Sequence, residues 1–367
     1  MSARLRLGMV GGGEGAFIGA VHRIAARIDD QWELVAGALS SDPARAQASA
    51  QALGLARSYD SYTDMAQAEA ALPDGIDAVA IVTPNHMHVP IARAFLEAGV
   101  HVICDKPLAS KLEDALALEQ TLAASGKLFI LTHNYSGYPL IRQAREMVAR
   151  GDLGRLRLVQ VEYVQDWLTE AVSGKQADWR TDPARSGAGG AIGDIGTHAW
   201  HLAEFVTGQS PQALLADLSS FVPGRAVDDN AHVLLRYASG AKGMLWASQV
   251  AVGHENALRL RVVGDKGSIA WEQENPNRMT FTPFGQPPQT LTRGGAGSSP
   301  SGLRVPAGHP EGYLEGFATL YRDAADAIRS PAAGLGLLPG MAAGLSGMRF
   351  IDACIRSSTA GGTWISL

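Results

Sequence analysis

"LGMVGGGEGAFIGAVHRIAARI", residues 7–28, joins an apolar segment to an amphipathic one through a cluster of glycines. The apolar segment has the length of a buried strand, and the amphipathic segment has the spacing of a helix. Glycines in such a turn let the backbone approach a bound group closely, and the first N–H groups of the helix attract an anion. The stretch therefore predicts a strand–turn–helix unit of the kind that binds the pyrophosphate of a dinucleotide.

The spacing of the glycines allows two interpretations of this turn. Gly11 and Gly13 match the first two glycines of the usual dinucleotide motif. Either Ala16 then takes the third place, or the loop is longer and Gly19 takes it. We favour the longer loop, in which the chain enters the helix between Gly19 and His22. In both cases the turn is expected to bind the cofactor through Gly11, Gly13, Ala16, Phe17 and Ile18.

Four further apolar segments follow in the first part of the chain, separated by alanine-rich segments that favour helices. Each is short and continuous rather than alternating, which is typical of strands that are covered on both faces. Strands and helices in alternation predict a doubly wound parallel sheet, the Rossmann fold, over residues 1–131. The four predicted strands are residues 33–39, 77–84, 101–105 and 128–133.

The pattern changes after this domain, and residues 132–367 predict a second α/β domain with a large, mostly antiparallel open sheet. Short turns that contain glycine join its strand-like segments, which predicts an antiparallel meander. Alternation such as LRLRV predicts one buried and one wetter sheet face, so we expect this domain to bind substrate and to pair with another subunit. The strand-like segments are residues 155–167, 231–237, 242–250, 258–264 and 268–273.

The last part of the chain combines a loop with helices. Residues 282–308 are rich in Gly, Pro and Ser and predict a long, mobile loop. The final helices are expected to pack back on the Rossmann domain. The first of them has an apolar face at helical spacing, which consists of Tyr313, Phe317, Leu320, Ala324 and Ile328.

The composition argues against several classes of protein. The 367 residues include 31 basic and 36 acidic side chains, so the chain lacks the basic surface that nucleic-acid binding requires. No segment approaches the ~18 apolar residues of a membrane-spanning helix, and the N-terminus lacks the apolar segment of a signal peptide. Cys104, Cys354 and the histidines lack the spacing of a metal site or a disulfide framework. We expect a cytoplasmic protein with buried thiols and without a metal, nucleic-acid or membrane partner.

The segment GALSSDPAR, residues 37–45, ends the second predicted strand, where the adenosine ribose is usually bound. Ser40 and Ser41 lie at the strand tip and Arg45 follows, a combination that can hold a 2′-phosphate. It slightly favours NADP over NAD. Asp42 can bind a ribose hydroxyl or, instead, cap the helix that begins at Pro43.

Two polar clusters are candidates for catalysis. Lys106, in the segment DKP, follows a predicted strand and so lies at the edge of the sheet where such folds bind ligands. Oxidation of an alcohol leaves a proton that nicotinamide cannot take, so a protein acid or base must lie there. In GDIGTH, Asp194 and His198 are four residues apart and share one face of a helix. They predict an Asp–His couple or, alternatively, a capping aspartate and a packed histidine.

The order of these motifs resembles a known family. The glycine turn, TPNHMH at 83–88, DKP at 105–107 and GDIGTH at 193–198 are similar to the glucose–fructose oxidoreductase and inositol dehydrogenase family, Gfo/Idh/MocA, over essentially the whole length. The resemblance implies that Lys106 is catalytic, that His198 accepts a proton and that Asp194 lies beside the substrate. It also implies a cis bond before Pro107. The cofactor is then expected to contact Thr83, Pro84, Asn85, His88, Asp105, Lys106 and Pro107.

The chain departs from the family in its longer glycine loop and in His201, which stands where the family often has an aspartate. His201 is expected to alter either the substrate contacts or the local packing. Further substrate contacts are predicted, each with an equally strong structural alternative, such as a surface pair of Arg180 with Asp182. These residues are Asn134, Tyr135, Trp179, Arg180 and His309.

Together these features predict an NAD(P)-dependent oxidoreductase that acts on a secondary hydroxyl, or the matching ketone, of a cyclic polyol or pyranose sugar such as an inositol, a hexose or an anhydrosugar. The family resemblance implies a dimer or tetramer built through the C-terminal sheet. One alternative is a glycosidase that uses a tightly bound NAD through transient oxidation. Another is a non-catalytic regulator that senses the cofactor, against which Lys106 and the Asp194–His198 pair argue.

Overall fold

The computed structural model describes residues 3–299 and 302–367, without the side chains of residues 175 and 176. The chain divides into two compact units, the first formed by the residues up to 134 with 313–345, and the second by 135–312 with 346–367. The helices are α1 (Phe17–Ile28), α2 (Pro43–Ala52), α3 (Tyr62–Ala71), α4 (His88–Glu97), α5 (Leu112–Ser125), α6 (Pro139–Arg150), α7 (Lys175–Arg180), α8 (Pro183–Ser186), α9 (Thr197–Thr207), α10 (Tyr313–Arg329) and α11 (Met341–Thr359). The strands are β1 (Leu5–Gly11), β2 (Trp32–Ala38), β3 (Arg57–Ser58), β4 (Ala78–Val82), β5 (His101–Cys104), β6 (Phe129–Leu131), β7 (Leu156–Val164), β8 (Pro211–Ser219), β9 (Asn230–Tyr237), β10 (Lys242–Ser248), β11 (Ala257–Gly264), β12 (Gly267–Glu272), β13 (Arg278–Pro283), β14 (Gln289–Thr292) and β15 (Ile365–Ser366).

The first unit contains a six-stranded parallel sheet in the order β3-β2-β1-β4-β5-β6. Every residue of β4 is buried, as expected for a strand that is covered on both faces. The strand order reverses between β1 and β4, and folds of this kind bind ligands beside that switch point. The predicted Rossmann fold is therefore confirmed. Strand β3 was not predicted, because its two residues carry no apolar run.

Helix α10 contributes to the core of the first unit, although it follows β6 only after a long segment of chain. Phe317, Leu320 and Ala324 of its predicted apolar face are almost inaccessible. Tyr321 joins α10 to α1 and β2, since its hydroxyl lies 2.8 Å from Nδ1 of His22 and its carbonyl accepts a 2.8 Å hydrogen bond from Nε1 of Trp32.

The second unit contains a nine-stranded sheet in the order β14-β13-β12-β11-β7-β10-β9-β8-β15. The prediction of a mostly antiparallel sheet is confirmed, but a simple meander is wrong at one pair, because β10 runs parallel to β7. Helices and β8 separate β7 from β9 in the chain, so β10 returns beside β7 in the same direction. The carboxyl ends of β7 and β10 consequently meet at one edge of the sheet.

The Gly-, Pro- and Ser-rich segment 282–308 is more ordered than its composition predicts over its described residues. It contains β14, which pairs with β13. Beyond β14, Arg293 and Glu311 form a buried ion pair 3.0 Å long, with side chains only 2% and 3% exposed. Arg293 also donates to the carbonyl oxygens of Val305 and Pro306 at 2.9 Å each. The prediction of a continuous loop is therefore wrong for residues 282–283, which end β13, and for residues 289–292, which form β14. Residues 300–301 lie outside the described part.

The two cysteines are buried free thiols, and burial raises the pKa of both Cys104 and Cys354 well above the ordinary value. Thiols of this kind are poor nucleophiles. Over the described ranges 3–299 and 302–367, the helices are too short or too polar to cross a membrane.

Candidate active site

The glycine turn brings α1 against the end of β1 at van der Waals distance. Gly11 and Gly12 have φ angles of +79° and +73°, which favour glycine. A Cβ on Gly19 would lie 2.4 Å from Cα of Gly12, so Gly19 performs the close helix–strand packing expected of a third glycine. This agrees with the longer loop. The helix, however, begins at Phe17 rather than after Gly19.

The same turn offers hydrogen-bond donors to an anion. Ala16 precedes α1 without a capping side chain, and the first turn of the helix contains no acidic residue. The first N–H groups of a helix lack partners within the helix, so here they suit the pyrophosphate of a dinucleotide. A Cβ on Gly13 would meet the carbonyl oxygen of Leu39 at 2.7 Å, so only glycine fits at this position. The residues present therefore fit the cofactor that the sequence predicts.

The residues after β2 adopt the capping arrangement that the sequence left open. Oδ1 of Asp42 accepts a 3.0 Å hydrogen bond from N–H of Arg45 and so caps α2. N–H of Asp42 donates to Oγ of Ser40 at 3.1 Å. Ser41 and the side chain of Arg45 are exposed beside this turn.

His88 connects two segments that were predicted to line the cofactor. Its Nδ1 lies 2.7 Å from the carbonyl oxygen of Pro107, and its Nε2 lies 2.9 Å from that of Thr83. Burial lowers the pKa of His88, so the imidazole is neutral and donates to one of the two carbonyls. Oγ1 of Thr83 is buried without a hydrogen-bond partner among the described residues, which indicates a position for a ligand atom.

The DKP segment follows β5 at the carboxyl edge of the parallel sheet. The bond between Lys106 and Pro107 is cis, as the family resemblance implies. Oγ1 of Thr132 donates a 2.8 Å hydrogen bond to Asp105, and Nε2 of His22 lies 3.7 Å from the same carboxylate oxygen, beyond hydrogen-bond range. Burial raises the pKa of the Asp105 carboxyl, but His22 and Lys106 outweigh it and hold the pKa at about 2. A permanent carboxylate therefore adjoins Lys106.

In the second unit, Asp194 lies in a π-helical turn, Ile192–Gly196, that leads directly into α9. Its Oδ2 accepts hydrogen bonds from Nε of Arg180 at 3.1 Å and from Nε2 of Gln249 at 2.9 Å. The guanidinium of Arg180 stacks over Trp179, 4.3 Å from the ring centroid. The proposed surface pair of Arg180 with Asp182 is therefore wrong. Asp182 caps α8 instead.

His198 lies one helical turn after Asp194, and its ring packs beside two tyrosine rings that also contact each other. The ring centroids of Tyr135 and Tyr163 are 4.9 Å and 6.0 Å from that of His198. The two tyrosine hydroxyls are 2.6 Å apart, and Tyr163 donates onward to Oδ1 of Asn256 at 2.8 Å. Burial raises the pKa of Tyr135 well above the ordinary value, so it stays a neutral phenol. The imidazole is therefore packed against two aromatic rings.

The remaining predicted residues lie in different surroundings. Burial, together with Arg145, lowers the pKa of His201 to about 3, so this side chain is a neutral packing residue rather than a substitute for a carboxylate. His309 is exposed, and its carbonyl accepts a hydrogen bond from Arg293. Asn134 is buried after β6, and its Nδ2 has no partner in the described part of the chain.

Sequence reasoning missed several residues of the cluster around Asp194 and His198. Tyr163, Gln165 and Trp167 alternate at the end of β7, and Gln249 follows β10. Period-two polar and aromatic side chains at a strand end are a usable signal. The signal for Gln249 was hidden, because it depends on the parallel pairing of β7 with β10.

These observations define the class of protein. A glycine turn at the switch point of a parallel sheet, with a lysine at its carboxyl edge, is typical of an NAD-binding oxidoreductase. Residues 5–133 match the oxidoreductase family with the NAD-binding Rossmann fold, and residues 141–270 match the GFO/IDH/MocA C-terminal domain. The chain belongs to the Gfo/Idh/MocA family of oxidoreductases.

Two curated relatives extend over most or all of the chain. The uncharacterized oxidoreductase YfiI of Bacillus subtilis is 37% identical, over 100% of this chain and 97% of its own length. The levoglucosan dehydrogenase of Pseudarthrobacter phenanthrenivorans is 29% identical over 75% of each chain.

Solved structures show the same fold. An oxidoreductase from Sinorhizobium meliloti is 55% identical over the full length of both chains, with a TM-score of 0.92. An inositol dehydrogenase homolog from Azotobacter vinelandii, complexed with NAD⁺, is 38% identical over 100% of this chain and 98% of that one, with a TM-score of 0.96. The corresponding complex with NADH and myo-inositol has a TM-score of 0.94.

Proposed function

We propose that the protein oxidises a secondary hydroxyl of a cyclic polyol or pyranose sugar with a nicotinamide cofactor, or reduces the matching ketone. An inositol is the first candidate. The observation that carries the proposal is the Asp194–His198 cluster, in which a carboxylate is held by Arg180 and Gln249 one turn before an imidazole that packs beside two tyrosines.

The surroundings of this cluster suit a substrate with several hydroxyl groups. Nε2 of Gln165 donates to Asn256 at 2.6 Å, and Nε1 of Trp167 donates to Gln165 at 3.0 Å, so hydrogen-bonding groups and aromatic rings alternate. Pockets of this composition combine polar groups that fix orientation with rings that cover apolar faces. The Azotobacter vinelandii homolog was crystallised with myo-inositol, and a levoglucosan dehydrogenase is among the relatives.

Each catalytic residue has a defined task in this proposal. When bound, a nicotinamide would supply the acceptor for the hydride that leaves the carbinol carbon with its electron pair. His198 takes the proton of the hydroxyl as a carbonyl forms, and Asp194 orients the substrate or His198. Lys106 donates a hydrogen bond to the same oxygen and stabilises its developing charge. Acid–base assistance of this kind contributes roughly 10²–10⁴ in rate.

The choice between the two dinucleotides depends on the turn after β2. Ser40, Ser41 and Arg45 are the residues expected to contact the adenosine ribose, and the slight preference for NADP stays a prediction. Asp42, with its carboxylate beside this turn, favours an unphosphorylated ribose. The Azotobacter vinelandii complexes contain NAD⁺ and NADH. Parallel assays with both cofactors decide between them.

The outward face of the large sheet is the proposed self-association surface, giving a dimer or tetramer. Leu158, Leu234 and Met244 are 54%, 48% and 49% exposed on three neighbouring strands. Met244 lies directly opposite Leu234 in the β9–β10 ladder, so the apolar side chains share one face. An exposed patch of this kind is typical of an interface.

The function is tested by following nicotinamide reduction with NAD⁺ and NADP⁺ against inositols, pyranoses and anhydrosugars. Lys106→Ala is expected to lower kcat by at least about 100-fold while the cofactor Kd changes little. Lys111→Ala, an exposed lysine in the same unit, is the matched control and keeps full activity.

Two results would contradict the proposal. Equal loss of cofactor binding and turnover in Lys106→Ala would remove the catalytic role of this lysine. A silent panel, with cofactor binding intact, would contradict the dehydrogenase itself. Glycoside cleavage without net cofactor consumption would then favour the bound-cofactor glycosidase, and its absence would favour the sensor.

A further inference from the structure

A buried aspartate, Asp228, accepts hydrogen bonds from the backbone immediately before the Asp194–His198 cluster. Asp228 precedes β9, and its two carboxylate oxygens accept hydrogen bonds from N–H of Gly190 at 2.6 Å and from N–H of Ile192 at 2.8 Å. The N–H between them, of Ala191, donates to the backbone carbonyl of Asp228 at 2.9 Å. Three consecutive backbone donors are therefore held by one residue that lies 36 to 38 positions away in the sequence.

These donors belong to the chain that enters the π-helical turn with Asp194 and then α9 with His198. The first N–H groups of such a segment have no helical acceptors, and a negative charge is favourable at this end of a helix. The backbones of Gly190 and Asp228 lie close together, because a Cβ on Gly190 would lie 2.0 Å from the carbonyl oxygen of Asp228. This contact explains why position 190 is a glycine.

The neighbouring residue, Asp229, positions the side chain of Asp194 through Gln249. The carbonyl of Asp229 accepts a 2.9 Å hydrogen bond from N–H of Gln249, whose side chain donates to Asp194. The carboxylate of Asp229 is fixed in turn by N–H of Phe221 at 2.9 Å and by an ion pair with Arg225 at 3.2 Å. Asp228 thus positions the backbone that leads to Asp194, and Asp229 positions the side chain of Asp194 through Gln249.

A carboxylate is chemically specific here. It offers one acceptor oxygen to each of two N–H groups, whereas an asparagine has a single oxygen and an NH₂ group that would face a donor. Burial raises the pKa of the Asp228 carboxyl to about 6, against these N–H bonds, and the charge of Asp229 also raises it. A raised carboxyl pKa means that stability is lost as the pH rises through it, so the ionised group costs stability at neutral pH.

We propose that Asp228 is a positioning residue that sets the place of Asp194 and His198 for hydride transfer. The inference rests on the proposed function of that pair. A displacement of about 1 Å in a reacting geometry can cost about 100-fold in rate. Loss of the hydrogen bonds of Asp228 should therefore slow the chemical step. It should leave the Rossmann unit and its cofactor affinity unchanged.

The test compares Asp228→Asn with two matched variants. Asp217→Asn makes the same change on an exposed residue of β8. Ser357→Ala removes a buried hydroxyl that accepts from N–H of Ala216 at 2.8 Å, and so measures the loss of a buried backbone contact away from the cluster. The substrate is the member of the panel with the highest kcat/KM, used with and without deuterium at the carbinol carbon.

Asp228→Asn is expected to lower kcat by about 10–100-fold, with KM changed less than about 3-fold and with an enlarged deuterium isotope effect. NADH Kd by fluorescence should equal that of the wild type. Amide exchange across residues 186–201, measured by mass spectrometry without any substrate, should rise at least about 10-fold over that of Ser357→Ala.

A kcat and an exchange rate equal to those of Ser357→Ala would overturn the inference. Should Asp228→Asn not fold, Asp228→Glu is measured in the same way. It keeps both acceptors but displaces them by one methylene, so a kcat equal to that of the wild type would again overturn the proposal. His198→Ala separates the proposed function from the positioning role of Asp228. Full activity of that variant would refute the proposed function, while the exchange experiment would still test whether Asp228 holds residues 190–192.

Discussion

Replacing Gly19 by alanine tests the close contact between α1 and Gly12 in the dinucleotide turn. The new Cβ would lie 2.4 Å from Cα of Gly12 and 2.7 Å from its carbonyl oxygen. Both are backbone atoms, so neither can rotate away as a side chain would. Since ordinary contacts begin near 3.4 Å, α1 must move by about 1 Å from the end of β1.

The size of the effect follows from two opposed terms. Alanine is favoured over glycine in a helix by up to about 1 kcal/mol, whereas overpacking costs about 1–3 kcal/mol. The net loss of about 0–2 kcal/mol lowers the Tm of a unit of this size by up to about 8 °C. The shift also withdraws first-turn N–H groups from the pyrophosphate, at about 1.5–3 kcal/mol for a charged acceptor. NADH should therefore bind about 10–100-fold more weakly.

Scanning fluorimetry and NADH fluorescence titration measure the two effects. Gly347→Ala is the matched control, because the same change in α11 places its Cβ 3.9 Å from Cγ2 of Thr197, an ordinary contact. The control should keep or raise the Tm and bind NADH normally. A Gly19→Ala protein with the Tm and NADH Kd of the wild type would refute the close-packing argument.

Two further substitutions test buried charges. Arg293→Met should destabilise the second unit by about 3 kcal/mol in urea unfolding, because it leaves Glu311 buried without its closest ionic partner. Arg278→Met, at an exposed position, should have little effect, and a loss below about 1 kcal/mol at Arg293 would contradict the reasoning. Asp105→Asn should cost about 2 kcal/mol at neutral pH, since the pKa of this carboxyl is about 2 in the folded chain against 3.8 ordinarily. A lowered pKa means that this stability is lost as the pH falls from about 4 to about 2, and a difference that stayed constant across that range would rule the account out.

Much of the first unit could be predicted from the sequence, because its signals are local. Continuous apolar segments such as Ala78–Val82 encode burial on both faces without reference to any partner. The helix that follows Asp42 is predicted by its own N-cap and by Pro43 in its first turn. The order of the glycine turn, the DKP segment and the GDIGTH segment likewise identified the family, since motif order is a property of the chain alone.

The tertiary structure decided which distant groups meet. Arg180 pairs with Asp194 rather than with Asp182, and Gln249 reaches Asp194 across 55 positions. Asp228 reaches the turn before Asp194 across 36 positions. Periodicity tells which face of an element is buried, but it contains no information on which other element covers that face. The parallel pairing of β7 with β10 fixes that choice here, because it brings two strand ends and their polar side chains to the same edge of one sheet.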